Sequence, residues 1–208
     1  MTKVKICGIT TLEDAALAAD LGADMIGFNF YPGSKRYISA ERVASFVESL
    51  TEGVMKVGVF VNASVDDIVF AKKLALLDAV QLHGNESSQF VAELRDRVDS
   101  KIIKAIQIRS VSDISFLGGF GADAVLVDTY SASDFGGTGE TFDWQIAREG
   151  CEKIDQLFLA GGLNPDNVGE AIRIVRPYAV DVASGVESSP GKKVPKKLEA
   201  FIRNAKNA

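Results

Sequence analysis

A single histidine and two cysteines in 208 residues leave little material for a dedicated zinc site, and no metal is expected. No apolar run approaches the ~20 residues that a membrane-spanning helix requires. Basic residues do not predominate: 23 Lys and Arg stand against 28 Asp and Glu, a net charge of −5, where a nucleic-acid binder would show a basic excess. Neither a membrane nor a nucleic acid is therefore an expected partner. Two cysteines are too few for a disulfide scaffold. Cys7 ends a strand and Cys151 falls in a connection at the other end of its repeat, so a reducing, cytoplasmic setting is expected. The first strand begins at Lys3, which is expected to leave no room for a secretory leader. The basic residues that do cluster are Lys35-Arg36 and a tail with Lys192, Lys193, Lys196 and Lys197, which reads as a solvated helix face.

What the chain does have is 47% hydrophobic residues and no Pro/Ser-rich linker, which predicts one domain over residues 1–208. Short β-branched runs predict strands at Lys3–Cys7, Met25–Phe30, Lys56–Val61, Ala79–His83, Lys101–Ile106, Ala124–Asp128, Gln156–Ala160 and Ala179–Ala183. They lack polar alternation, as parallel strands covered on both faces do. Helices are predicted between them at Leu12–Leu21, Ser39–Leu50, Ser64–Leu76, Glu86–Val98, Val111–Leu117, Phe142–Glu149, Pro165–Val175 and Val194–Asn204. Asn164-Pro165 reads as an N-cap followed by proline at the first helical position. Eight such units, repeating every ~25 residues, favour an α/β fold of the closed (β/α)8 TIM-barrel type over an open doubly wound sheet. Cys7-Gly8-Ile9-Thr10-Thr11 is not the dinucleotide-binding fingerprint of such a sheet.

In this barrel the active site is built from strand C-termini and the loops after them. Gly161-Gly162 after the seventh strand and Ser184-Gly185 after the eighth lie where the fold usually holds phosphate. One glycine loop alone would read as a tight turn; two adjacent loops favour an anion site. Cys7 ends the first strand. A strand cysteine is more often a small hydrophobe, but its place and the following Gly8 open it to chemistry. Asp128 closes an apolar strand more than ten residues before the next helix, so a thiol and a carboxyl on separate walls could act as a base–acid pair. His83 reads as a structural residue or a ligand contact. Arg36 reads as a solvated cation or as a fork for a carboxylate. The glycine-rich stretch Ser131–Gly139 reads as a lid or a disordered loop. Lys5 lies ~7 Å from Cys7 on the same strand face. If that face is interior, Lys5 needs an anion, for which Asp181 on the eighth strand is the candidate, and it either biases the thiol toward thiolate or is purely structural.

Several segments together carry a family resemblance. Val4-Lys5-Ile6-Cys7-Gly8-Ile9-Thr10, Gly27-Phe28-Asn29-Phe30-Tyr31, Ser34-Lys35-Arg36-Tyr37, Val57–Asn62, Val80-Gln81-Leu82-His83-Gly84, Gly136-Gly137-Thr138-Gly139, Gly161–Val168 and Asp181–Glu187 resemble the phosphoribosylanthranilate isomerase family of tryptophan biosynthesis. The likeness runs from about Val4 to Lys193 in the family's order; Ala183 stands where some members have serine. It implies an Amadori rearrangement with Cys7 as general base and Asp128 as general acid. Arg36 would hold the anthranilate carboxylate, Asp181 a sugar hydroxyl, and Gly161, Gly162, Ser184 and Gly185 the phosphate. No cofactor is expected, because only protons move. The expected partner is a small phosphosugar, with the protein a monomer or homodimer.

Three alternatives stand beside it. A related barrel isomerase of the histidine pathway resembles a carboxylate pair, with aspartate on the first strand where this chain has Cys7. Indole-3-glycerol phosphate synthase adds an N-terminal helical segment and catalytic lysines, a pattern that Lys104 alone does not supply. A non-catalytic phosphosugar-binding barrel would not need both Cys7 and Asp128.

Overall fold

A computed structural model describes residues 1–50, 53–108, 118–129 and 144–208. Eight parallel strands close a barrel in chain order. They are β1 (Lys3–Cys7), β2 (Met25–Asn29), β3 (Met55–Phe60), β4 (Ala79–Leu82), β5 (Lys101–Ile108), β6 (Ala124–Thr129), β7 (Leu157–Ala160) and β8 (Ala179–Val182). The predicted strands are all there, with ends moved by two residues at most. Helices α1 (Leu12–Asp20), α2 (Ala40–Ala44), α3 (Val65–Leu74), α4 (Ser88–Arg95), α5 (Trp144–Cys151), α6 (Val168–Val175) and α7 (Pro195–Lys206) cover the outside. The helix predicted at Val111–Leu117 lies outside the described residues.

Strand periodicity sorts the core into two layers. Val4 and Ile6 of β1 join the layer between barrel and helices. Met25, Val57, Ala79, Ile103, Leu126, Phe158 and Ala179 fill the barrel itself. Thr11, Ser39, Ser64 and Ser87 each accept a hydrogen bond from a backbone N–H in the first turn of the helix they precede.

Three predicted helices are corrected. The one expected over Ser39–Leu50 ends as α2 at Ala44 and resumes as a 3-10 turn at Val47–Ser49. Ser45 Oγ bonds back to the Arg42 carbonyl, and Phe46 leaves helical geometry to pack edge-on against Phe28. α4 starts at Ser88 rather than Glu86, because the Glu86 carboxylate is used in a buried ion pair. α6 is regular helix only from Val168 rather than Pro165: Asn164 caps as expected, its Oδ1 accepting from the N–H groups of Asp166 and Asn167, but Pro165 to Asn167 form a turn ahead of the helix. That side-chain turn satisfies the donors a helix end would have presented.

The basic tail is corrected at Lys193, while Lys192, Lys196 and Lys197 are exposed as expected. A short antiparallel pair, β9 (Glu187–Ser189) and β10 (Lys192–Lys193), precedes α7. The Lys193 side chain is wholly buried there rather than solvated.

Candidate active site

Register decides what surrounds Cys7. Lys5 pairs with Asp181 across β1 and β8, and Cys7 pairs with Gly27 across β1 and β2. Lys5 is fully buried, with Nζ 2.8 Å from Asp181 Oδ1, so the expected ion pair forms. Gly27 makes the space. A Cβ built there would lie 2.9 Å from Cys7 Sγ and 3.1 Å from Lys5 Nζ. Burial pushes the Lys5 pKa down, but Asp181 and Cys7 more than reverse this, and Lys5 is charged. For Cys7 itself burial is the largest influence and pushes the thiol up. Lys5 and Lys193 pull it down and Asp181 pushes it up, and the net shift is upward. Of the two readings of Lys5, a bias toward thiolate agrees in direction with its effect on the thiol, but Lys5 opposes burial without overcoming it.

Above Cys7 the space left by Gly8 is filled. Gly8 has φ +73°, and a Cβ there would meet Arg36 Cδ at 2.4 Å. Arg36 crosses Gly8 to reach Glu187, donating through Nε at 2.9 and 3.1 Å and through Nη2 at 2.6 Å. Lys193 Nζ lies 2.9 Å from the same carboxylate and also donates to the carbonyls of Cys7 and Ala183. Burial pushes Glu187 up, but its bonds from Arg36 and Lys193 hold it below the usual carboxylate value.

The other walls are more open. Asp128 ends β6 and His83 follows β4, with His83 Nε2 3.7 Å from Asp128 Oδ2 and each side chain a third exposed. That separation is too long for a hydrogen bond. The Gln81 side-chain amide lies 2.9 Å from His83 Nδ1 and holds the ring with Nε2 facing Asp128.

Gly161 and Gly162 after β7 both have left-handed backbone, φ +87° and +64°. Glycines in this conformation let successive N–H groups turn toward an anion. The loop after β8 is a 3-10 turn, Ser184–Val186. A Cβ on Gly185 would lie 2.0 Å from the Leu163 carbonyl oxygen, so this glycine holds the two loops in contact. Cys7, Arg36, His83, Asp128, Gly161, Gly162, Asp181 and Ser184 all border one cavity of about 320 Å³; Gly185 supports it from behind. An adjoining space of about 770 Å³ shares His83 and is bordered by Glu86 and Lys104. Ser131–Gly139, expected as a lid, lies outside the described residues.

Glu187, Lys193, Glu86 and Lys104 were not foreseen as partners. Gly27, a glycine inside a strand, signals the close packing around Cys7 and Lys5, but no local signal marks those four.

A closed (β/α)8 barrel with a polar cavity at its strand C-termini defines the class, a barrel enzyme. The family model for N-(5'-phosphoribosyl)anthranilate isomerase matches residues 4–204. A Trichlorobacter lovleyi protein of that name is 47% identical over the whole of both chains. The crystal structure of phosphoribosyl anthranilate isomerase from Thermotoga maritima is 44% identical with a TM-score of 0.92, covering all of both chains. A second structure of that isomerase, in complex with reduced 1-(o-carboxyphenylamino)-1-deoxyribulose 5-phosphate, is 41% identical with a TM-score of 0.89, again over all of both chains. The chain belongs to the N-(5'-phosphoribosyl)anthranilate isomerase family.

Proposed function

We propose that this protein converts N-(5-phosphoribosyl)anthranilate to 1-(2-carboxyphenylamino)-1-deoxyribulose 5-phosphate, a step of tryptophan biosynthesis. The observation that carries the reading is a thiol and a carboxyl, Cys7 and Asp128, bordering one cavity beside the paired glycine loops. Asp128 protonates the ring oxygen as the C1–O bond breaks, and the nitrogen lone pair forms the C1=N Schiff base. Cys7 then removes the C2 proton. Its electron pair forms C1=C2, and the resulting enol tautomerises to the ketose by gaining a proton at C1. Atoms and electrons balance without oxidant or reductant.

The raised pKa of Cys7 fits this order. The cationic Schiff base makes the C2 proton acidic and places positive charge beside a thiol that burial otherwise keeps neutral. Arg36 holds the ring carboxylate, Asp181 and His83 contact the sugar, and Gly161, Gly162, Ser184 and Gly185 hold the phosphate. The protein works in the cytoplasm on a free phosphosugar, as a monomer or homodimer. No helix among the described residues is long and apolar enough to cross a membrane.

The test is the decay of phosphoribosylanthranilate fluorescence. The protein should accelerate it, and Cys7→Ala and Asp128→Asn should each lose ~10²-fold or more in kcat. Decay no faster than the uncatalysed rate, or full activity in both variants, overturns the reading.

A further inference from the structure

We infer that Glu187 is a positioning residue that aims Arg36 at the carboxylate of the aromatic amine substrate. The inference rests on the reading of Arg36 as the carboxylate holder. A guanidinium offers a carboxylate two edges, Nε with Nη2 and Nη1 with Nη2. Glu187 occupies the first, meeting Nε with both oxygens and Nη2 at 2.6 Å. Among the described residues the edge that includes Nη1 is the one left for a second carboxylate, and Arg36 borders the cavity that holds Cys7.

Glu187 is itself fixed. Its side chain is 3% exposed and accepts from Lys193 Nζ and from the Gly191 N–H at 3.2 Å. Lys193 in turn donates to the Cys7 carbonyl. A flexible arginine is thus tied through one carboxylate to the backbone of the residue read as the base. Holding the fork before binding removes the ordering cost that a free arginine side chain would otherwise levy on affinity. Recognition of the ring and placement of the base therefore share a single anchor. A solvated surface arginine would need no such partner; this one spans 151 residues of sequence to reach it.

The test compares two ligands, the reduced product analogue and its counterpart lacking the ring carboxylate, by calorimetry. The wild-type protein should prefer the carboxylated compound. Glu187→Gln should cut that preference by about 10- to 100-fold while leaving the carboxylate-free compound bound as before. Arg36→Met should abolish the preference. Glu187→Asp, which keeps the charge for Lys193 but shortens the reach, gives a second variant if Glu187→Gln does not fold; its preference should fall partway. If the Glu187 variants weaken both ligands equally, or tighten the carboxylated one, Glu187 does not aim the fork. If Arg36→Met keeps the preference, the reading of Arg36 fails and takes the inference with it.

Discussion

Two seams of the barrel solve the same problem with different charge. At β4/β5, Lys104 Nζ donates to the carbonyls of Leu82 and Gly84 and lies 2.9 Å from Glu86. At β8/β1, Lys193 Nζ donates to the carbonyls of Ala183 and Cys7 and lies 2.9 Å from Glu187. Each buried ammonium stitches backbone carbonyls near the ends of strands, and each buried carboxylate neutralises it. Among the described residues the first seam stops there, with one cation and one anion. The second adds Lys5, Asp181 and Arg36, so among the described residues three cations are paired with two carboxylates beside Cys7. A neutral seam holds loops in place. A seam with a cation in excess can also accept an anion, whether a substrate carboxylate or a transient thiolate.

Breaking the neutral seam should give the largest effect. Glu86→Gln leaves Lys104 buried without its anion, which should cost about 3–5 kcal/mol in urea unfolding. In the folded fraction, affinity for the reduced product analogue should stay unchanged. The variant should also alter the acid dependence of stability. Burial pushes Glu86 up, but the bonds from Lys104 and from the N–H of Asn62 hold it below the ordinary glutamate value of 4.5. A lowered carboxylate contributes stability above the unfolded pKa and loses it as pH falls through the folded pKa. Wild-type stability should therefore fall below pH 4.5, and less steeply in Glu86→Gln. An identical fall in both proteins would mean that ionised Glu86 does not stabilise this seam.

The charged seam can be disturbed without touching a charge. Gly185→Ala drives a methyl group into the Leu163 carbonyl, and backbone cannot rotate away as a side chain does. Overpacking of this kind should cost about 1–3 kcal/mol. The loops after β7 and β8 should move apart, and inorganic phosphate should bind more weakly. Wild-type stability and phosphate affinity in this variant would show that the contact is not needed.

These two seams also mark where the sequence is readable. Strands were legible because β-branched runs end at glycine or polar residues, as in Val4-Lys5-Ile6-Cys7-Gly8. Cys7, Asp128 and the Gly161-Gly162 loop stood out because a parallel barrel puts its chemistry at strand C-termini. The Lys5–Asp181 pair could be anticipated because the closing strands of a barrel are neighbours. Lys104–Glu86 and Lys193–Glu187 could not, since a lysine in a basic tail looks the same whether solvated or buried. Only register and loop path decide, and Glu187 gains its role from Arg36, 151 residues away. Helix starts shifted for local reasons: the Glu86 carboxylate is bound to Lys104, and Asn164 caps a turn that precedes the regular helix.

The subtlest difference between the seams is their effect on Cys7, and alkylation by iodoacetamide across pH measures it. Only the thiolate reacts, so the midpoint of the rate profile follows the thiol pKa. Cys151 contributes little below pH 10, because burial pushes it up to about 11. Lys5→Met removes a cation that favours the thiolate and leaves Asp181 to oppose it, so the Cys7 midpoint should move further up. Removing Asp181 as well, in Lys5→Met/Asp181→Asn, avoids leaving an unpaired buried carboxylate and should bring the midpoint partway back. It should remain above wild type, since Lys5 acts on the thiol more strongly than Asp181 does. Lys104→Met, at the neutral seam, should leave the midpoint where it was. A midpoint unmoved in folded Lys5→Met would reduce Lys5 to a structural role, and one moved equally by Lys104→Met would erase the distinction between the seams.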